Sequence, residues 1–91
     1  VKDPRKKAEA MFLLGRAFRG KGLPDLALGQ YEKALAAAGQ ATLAKDALYE
    51  MGGLCEEQGK RDAALLHYGR ILEQDIGYRD VAQRVDRLKV S

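Results

Sequence analysis

Apolar residues recur along this chain at helical spacing, in five successive segments. Within each segment they fall about three or four positions apart, which places them on one face of an α-helix. The predicted face-forming residues are, segment by segment, Ala8, Met11, Leu14 (or Ala10) and Phe18; Leu26, Ala27, Tyr31, Ala34 and Leu35; Ala44, Ala47, Leu48, Met51 and Cys55; Ala63, Ala64, Tyr68, Ile71 and Leu72; Tyr78, Val81, Ala82, Val85 and Leu88. No stretch alternates apolar and polar residues, so the pattern predicts an all-α fold without strands.

Residues that begin or end helices separate these segments. Asp3 suits an N-cap and Pro4 a first helical position, so the first helix is predicted to begin there. The second helix is predicted to end at Gly39, because glycine is common just after a helix. The other predicted turns are Gly20-Lys21-Gly22 followed by Leu23-Pro24-Asp25, Gln58-Gly59-Lys60, and Asp75-Ile76-Gly77. Such short connections predict antiparallel helical hairpins.

The segment from Met11 to Leu35 recurs 37 residues later, as the segment from Leu48 to Leu72. Residues that are identical in the two copies are Gly15 and Gly52, Gly22 and Gly59, Asp25 and Asp62, Ala27 and Ala64, Leu28 and Leu65, Tyr31 and Tyr68, and Leu35 and Leu72. An internal repeat of this length indicates a stack of similar helical units.

Gly15 and Gly52 lie in the middle of predicted helices, where glycine costs about 1 kcal/mol relative to alanine. The same unfavourable residue at the same place in both copies predicts a close helix–helix approach that a Cβ atom would block. The small residues Ala27 and Ala64 are predicted at the crossing point. Tyr31 and Tyr68 are expected to fill the gap between one hairpin and the next. Each would then be part of the core.

The repeated pattern resembles the tetratricopeptide (TPR) repeat, a helical hairpin that stacks into a right-handed superhelix. The residues that carry the resemblance are Leu14-Gly15, Phe18, Gly22, Ala27, Tyr31 and Ala34 in the first copy, and Met51-Gly52, Gly59, Ala64 and Tyr68 in the second. The departures from the family pattern are Met11 and Leu48 in place of Trp, Cys55 in place of an aromatic residue, Ile71 in place of Ala, and no closing Pro near Gly39 or Ile76. The spacing of 37 also exceeds the usual 34, and the additional residues are predicted in the 39–43 junction.

The resemblance implies a single TPR-like domain over residues 1–91, with repeat 1 at about 8–41, repeat 2 at about 45–78 and a capping helix at about 79–89. Counting one family period from Gly52 places Asp86 at the close-approach position, where a carboxylate would prevent tight packing. The fifth helix is therefore interpreted as a cap rather than the start of a third repeat. Two and a half repeats are few for a stable stack, so either more repeats precede Val1 in a longer protein or another copy of the chain covers the exposed end.

Composition and charge argue against nucleic-acid binding, a membrane span and an internal disulfide. The net charge is +3, but residues 1–21 sum to +5 whereas residues 45–77 sum to −3. A basic stripe for nucleic acid would have to continue through both copies, and it does not. No apolar run approaches the length of a membrane span, and the single Cys55 excludes an internal disulfide. The compartment is left open, with a soluble cytoplasmic protein as the working expectation.

The stretches that resemble catalytic or nucleotide-binding motifs are incomplete. The residues from Gly15 to Lys21 have the spacing of a phosphate-binding P-loop, but Gly22 follows instead of Ser or Thr and no strand precedes them. Cys55 is expected in the core and His67 is expected to face solvent, so the two do not form a nucleophile–base pair. The acidic side chains of the second copy are interpreted as a solvated face rather than a metal site. We therefore expect no enzymatic activity, cofactor, metal ion or small-molecule substrate.

The resemblance implies that the first helix of each hairpin lines a concave binding face. The residues at the family's inward positions are Glu9, Phe12, Leu13, Arg16 and Arg19 in the first copy, and Asp46, Tyr49, Glu50, Gly53 and Glu56 in the second. Large apolar groups outside the core face suggest an anchor for a partner, although a helix preceding Val1 could instead cover them. Chaperone-binding members of the family clamp a carboxylate with Lys and Asn at these positions, which this chain lacks, so that activity is not carried over.

The leading hypothesis is a protein–protein interaction scaffold that binds a peptide or helix. The arginines of the first copy would favour an acidic partner, and the glutamates of the second a basic one. The second hypothesis is self-association through Phe12, Leu13 or the open end formed by residues 1–20. The third, RNA binding, is disfavoured by the acidic second copy. An enzyme domain elsewhere in a longer chain would not be visible in these residues.

Overall fold

The computed structural model describes residues 4–39 and 41–90, with side chains from Lys6 onward. The helices are α1 (Pro4–Gly20), α2 (Pro24–Ala37), α3 (Ala41–Glu57), α4 (Arg61–Gln74) and α5 (Val81–Val90). No strand occurs in these two stretches, so the predicted all-α fold of five helices is confirmed. The predicted N-cap, Asp3, lies outside the described residues.

The helix boundaries repeat with the sequence. Both ends of α3 lie 37 residues after the ends of α1, and both ends of α4 lie 37 residues after those of α2. The residues that follow Gln40, from Ala41 to Leu43, belong to α3. The predicted 39–43 junction therefore overlaps the start of α3, which has 17 residues like α1.

The first and third helices end in the same way. The Gly22 N–H bonds the Arg19 carbonyl at 3.0 Å, and the Leu23 N–H bonds the Phe18 carbonyl at 2.9 Å. The equivalent bonds after α3 join Gly59 to Glu56 at 3.0 Å and Lys60 to Cys55 at 2.8 Å. Gly22 and Gly59 have φ of 75° and 74°, the left-handed conformation that this C-cap needs and that glycine adopts without a Cβ clash. The two glycine turns are therefore confirmed as Schellman caps.

The end of α2 differs from the prediction. The helix ends at Ala37, and the C-cap residue Ala38 is extended, with φ −68° and ψ 120°. Its N–H still bonds the Leu35 carbonyl, at 3.3 Å. Gly39 has no positive φ. The helix therefore ends two residues before Gly39, which stands at the predicted C′ position but lacks the left-handed conformation of a glycine cap.

The chain divides into two compact units at the Ala47–Leu48 bond, and each is described separately. In the first unit α1 packs against α2. Its fully buried side chains are Ala8, Ala27, Tyr31, Ala34 and Ala47. Leu14, Ala10 and Leu26, which were predicted to face the core, are exposed, Leu14 by 44% and Leu26 by 53%. Gly15 takes the core-facing position instead, and on a helix the side chain of Leu14 lies about 100° away from it.

In the second unit α4 packs against α5, and residues 51–55 of α3 are all buried. The buried apolar side chains of this unit are Leu48, Met51, Leu54, Cys55, Ala64, Tyr68, Ile71, Val81 and Val85. All except Leu54 were predicted. Burial on successive positions means that α3 is covered on more than one face, which a single-stripe prediction does not anticipate.

The glycine prediction is confirmed, and Tyr31 and Tyr68 are buried, as predicted. A Cβ atom on Gly15 would lie 2.7 Å from Tyr31 Cε1, and one on Gly52 would lie 2.7 Å from Tyr68 Cδ1. Each tyrosine ring therefore rests on the glycine of its own hairpin. The ring can approach the helix backbone this closely only because the side chain beneath it is a hydrogen atom.

Candidate partner-binding surfaces

In the second unit three polar side chains from three helices meet around one buried hydroxyl. The hydroxyl of Tyr68 (α4) donates to Glu56 Oε1 (α3) at 2.5 Å. Arg84 (α5) binds the same carboxylate, with its Nη1 3.1 Å from Glu56 Oε1, and also donates to the Tyr68 oxygen at 3.3 Å. Hydrogen bonds that involve charged groups contribute about 1.5–3 kcal/mol when removal leaves a buried partner unsatisfied. The triad therefore fixes α5 to α3 and α4.

Arg84 also joins a second carboxylate, which extends the network to the surface. Its Nε donates to Asp80 Oδ2 at 2.9 Å, an i,i+4 pair at the start of α5. The other oxygen of that carboxylate, Oδ1, accepts a hydrogen bond from the Tyr49 hydroxyl at 2.7 Å. The Asp80 side chain is about half exposed, so this outer pair contributes less than the inner one.

Burial and hydrogen bonding shift the pKa values of the network in a consistent pattern. Burial, and then the bond to Glu56, raise the pKa of Tyr68 well above its ordinary value. Burial and the bond to Asp80 likewise raise the pKa of Tyr49. The bond from Tyr49, followed by that from Arg84, holds the pKa of Asp80 below its usual range. Burial lowers the pKa of Arg84, but its bonds to Asp80, Glu56 and Tyr68 outweigh this and raise it. These shifts favour neutral Tyr49 and Tyr68, an anionic Asp80 and a cationic Arg84 near neutral pH.

The rings of Tyr68 and Tyr78 both pack against the ring of Tyr49. The Tyr49 ring lies 6.1 Å from that of Tyr68 and 5.8 Å from that of Tyr78, measured between ring centroids. Two guanidinium groups face the Tyr49 ring, with the Cζ atoms of Arg79 and Arg84 at 4.8 and 5.2 Å from its centroid. Arg79 also lies 5.2 Å from the centroid of Tyr78. These distances are within the range of cation–π attraction, about 0.5–1 kcal/mol for an exposed pair.

The first unit has an aromatic pair at the equivalent place and a different surface around it. Phe12 packs against Tyr31 with ring centroids 5.6 Å apart and is half-buried. Leu13, the next residue of α1, is 61% exposed. Arg16 is exposed and Arg19 is half-buried. The surface of α1 therefore combines an exposed leucine with cationic side chains.

The sequence-predicted site residues fall into two groups. Those at the surface of α1 are Glu9, Leu13 and Arg16, which are exposed, with Phe12 and Arg19 half-buried. Those of α3 are Asp46, Tyr49, Glu50 and Glu56, all half-buried, with Gly53 buried. Tyr49 and Glu56 are engaged by Asp80, Tyr68 and Arg84 within the chain, so they are not simply presented to solvent as expected.

Sequence reasoning missed the contribution of the α4–α5 connection and of α5 to this surface. Tyr78, Arg79, Asp80 and Arg84 meet Tyr49 or Glu56, yet only Tyr78 was singled out, as a member of an apolar stripe. The i,i+4 spacing of Asp80 and Arg84 was a readable signal for a local ion pair. Their partners on α3 could not be predicted. The sequence does not show that residues 28 or 31 positions apart, on different elements, lie within hydrogen-bond distance.

The residues considered for catalysis have other roles. Gly15 to Gly20, with P-loop spacing, belong to α1, and the Lys21 N–H bonds the Ala17 and Phe18 carbonyls at 3.1 Å. These backbone groups are helical and do not form a phosphate cradle. Cys55 is buried, as expected, and burial raises its thiol pKa, which disfavours the nucleophilic thiolate. His67, expected to face solvent, is half-buried. Among the described residues no group of His, Cys, Asp and Glu side chains could hold a metal ion.

No helix over the described ranges is long and apolar enough to cross a membrane. No known protein family matches the chain, and no curated protein matches it significantly.

Proposed function

We propose that this chain is a non-catalytic protein–protein interaction module of the TPR-like helical-repeat type. It binds a peptide or helix on the surfaces presented by the first helix of each hairpin, α1 and α3. Its hairpins carry the glycine–tyrosine contact and the Schellman cap at the same spacing, which supports the repeat interpretation. Stacking of the hairpins into a right-handed superhelix with a concave face belongs to the same proposal.

The observation that carries the proposal is the exposure of Leu13. This leucine is 61% exposed on α1, while the neighbouring Phe12 is seated against Tyr31. An exposed apolar side chain on a formed helix can enter a pocket of a partner, or receive an apolar side chain from it, without reorganising the helix. Arg16 and Arg19 carry positive charge on the same helix. The fitting partner is therefore a segment with an apolar anchor and nearby acidic residues.

Self-association is the second candidate, and one observation favours it. Leu14, adjacent to Leu13, is also exposed, by 44%, so α1 presents two neighbouring leucines. A second copy of the chain could cover both. The two candidates make opposite statements about the same residue: Leu13 is either open to a partner or occupied by another copy.

Light-scattering mass across protein concentration separates the two candidates, on the wild type and on Leu13→Glu. Leu13 is a better position than Phe12 because glutamate in place of Phe12 would also remove the contact with Tyr31. The matched control is Leu66→Glu, at a leucine of α4 that is 64% exposed. A wild-type monomer supports a free α1 surface. A dimer that Leu13→Glu dissociates and Leu66→Glu leaves intact supports self-association.

Selection from a random displayed-peptide library then tests partner binding directly. We expect the recovered peptides to carry an apolar residue followed by acidic ones, and to bind Leu13→Glu at least about tenfold more weakly than the wild type. Leu66→Glu should bind them normally. Recovery of no peptide, or equal binding by the wild type and Leu13→Glu, contradicts the proposed surface on α1.

A further inference from the structure

The side chain of Arg79 occupies a site formed by two tyrosine rings. Its guanidinium carbon lies 4.8 Å from the centroid of Tyr49 and 5.2 Å from that of Tyr78. The two rings are 5.8 Å apart and meet edge to face at 63°, so they form a corner rather than a flat stack. A corner of two aromatic faces is a suitable receptor for a planar cation, because each ring contributes its own negative face.

The surroundings of the rings favour a cation. The Tyr49 hydroxyl donates to the Asp80 carboxylate at 2.7 Å, and a phenol bound to an anion has a more electron-rich ring. The second guanidinium on Tyr49, that of Arg84, is tied to Glu56 and Asp80 by ion pairs of 3.1 and 2.9 Å. Arg84 is therefore a structural part of the site. Residues 45–77, which supply Tyr49 and Glu56, sum to −3.

Arg79 differs from Arg84 in its place in the chain and in its backbone conformation. It lies in the short connection between α4 and α5, is exposed, and has a φ of 43°. It is the only non-glycine residue with positive φ in the described part of the chain. This conformation is unfavourable for a residue with a long side chain. The rings come partly from α3, whereas the cation between them comes from a strained exposed connection, so the cation is the part that can be exchanged.

We propose that Tyr49 and Tyr78 form a receptor site for the guanidinium of a partner's arginine, and that Arg79 occupies this site in the free protein. The inference rests on the proposed interaction function and specifies its second surface, which lies on the second unit. The partner's arginine replaces the Arg79 guanidinium between the rings. Occupation by Arg79 reduces the apparent affinity by the fraction of molecules in which the site is filled.

The test is an NMR titration of the isotopically labelled chain with acetyl-Ala-Ala-Arg-Ala-Ala-amide. The variant is Arg79→Asn, because asparagine tolerates positive φ and has no charge to fill the site. We expect this variant to bind the peptide at least about tenfold more tightly than the wild type, with shifts centred on Tyr49 and Tyr78. Retained amide dispersion in the variant shows that the fold is intact, and Arg79→Gly serves as a second variant without the strain.

The matched probe is the same peptide with citrulline, which keeps the planar shape and removes the charge. We expect it to bind at least about tenfold more weakly than the arginine peptide, and Tyr78→Leu in the Arg79→Asn background to abolish saturable binding. Equal binding of the two peptides, no saturable binding to a folded Arg79→Asn, or equal affinities of wild type and Arg79→Asn would each overturn the proposal.

The two proposals fail separately. Leu13→Glu lies in the other unit and should leave arginine-peptide binding unchanged. If library peptides bind through Leu13 while Arg79→Asn does not bind the arginine peptide, the interaction function stands and the receptor site is rejected. If the arginine peptide binds and no library peptide depends on Leu13, the receptor site stands and the α1 surface is rejected.

Discussion

The two hairpins share a backbone design and differ in what their first helices present. Phe12 and Tyr31 pack at 5.6 Å and 53°, and their counterparts 37 residues later, Tyr49 and Tyr68, pack at 6.1 Å and 49°. The position of Arg19 in the first hairpin is that of Glu56 in the second. In the second hairpin this glutamate accepts hydrogen bonds from the Tyr68 hydroxyl and the Arg84 guanidinium.

This exchange of an arginine for a glutamate separates the two surfaces. A carboxylate beneath the tyrosine can hold a cationic side chain from α5, whereas an arginine at that position would repel one. Leu13 is likewise replaced by Glu50. Two hairpins with the same glycine–tyrosine contact thus carry an apolar, basic surface in one unit and a tyrosine-rich, acidic surface in the other. The repeat conserves packing, while the charged positions are free to vary.

The glycine–tyrosine contact, which both hairpins share, can be disrupted by replacing Gly15 or Gly52 with alanine. We expect Gly15→Ala and Gly52→Ala to lower the free energy of unfolding by about 1–3 kcal/mol each, because the new Cβ would collide with the ring of Tyr31 or Tyr68. Urea unfolding measures the change. Gly29→Ala in α2 and Gly69→Ala in α4 are the controls, since nothing lies within 4 Å of a Cβ there. The controls should stabilise by up to about 1 kcal/mol, and destabilisation of all four alike would contradict the contact.

The Glu56–Tyr68–Arg84 network, which only the second hairpin has, can be tested with Arg84→Met. Methionine keeps much of the length of the side chain and removes its charge. We expect a loss of about 1–2 kcal/mol, because Glu56 loses its cation and the Tyr68 hydroxyl loses a donor. Native-state hydrogen exchange should show faster exchange in α5 with little change in α1 and α2. Arg87→Met, at an exposed arginine of α5, is the control. Equal protection of α5 in the wild type and Arg84→Met would show that apolar packing alone holds this helix.

The smallest expected effect is on the stability at acid pH, through the Asp80 carboxylate. Because the pKa of folded Asp80 lies below its unfolded value, the carboxylate contributes stability that is fully present above about pH 4 and is lost as pH falls through the folded pKa. Asp80→Asn should flatten the acid limb of the stability–pH curve by less than about 1 kcal/mol, since the carboxylate is half exposed. Asp86→Asn, at an exposed aspartate, is the control. An unchanged acid limb in Asp80→Asn would mean that the outer pair adds no stability.

The sequence by itself determined the secondary structure and the repeat. Helical spacing, the Pro and Gly signals and the 37-residue period are local or self-referential features, so they can be read without knowing which helices touch. The mid-helix glycines also indicated a close approach, because an unfavourable residue in the same place twice requires a compensating contact. The sequence did not identify the residue that makes this contact, since the partner tyrosine lies 16 residues away on another helix.

Only the tertiary structure decided which side of α1 is buried and how the second surface is built. With glycine rather than a large residue at the core position, the apolar pattern could not distinguish a buried Leu14 from an exposed one. The site around Tyr49 depends on the distance and angle at which α5 and its preceding connection meet α3, and on the unusual backbone of Arg79. These are properties of long-range packing, in which a change of about 1 Å makes or removes a hydrogen bond, and the order of residues along the chain does not contain them.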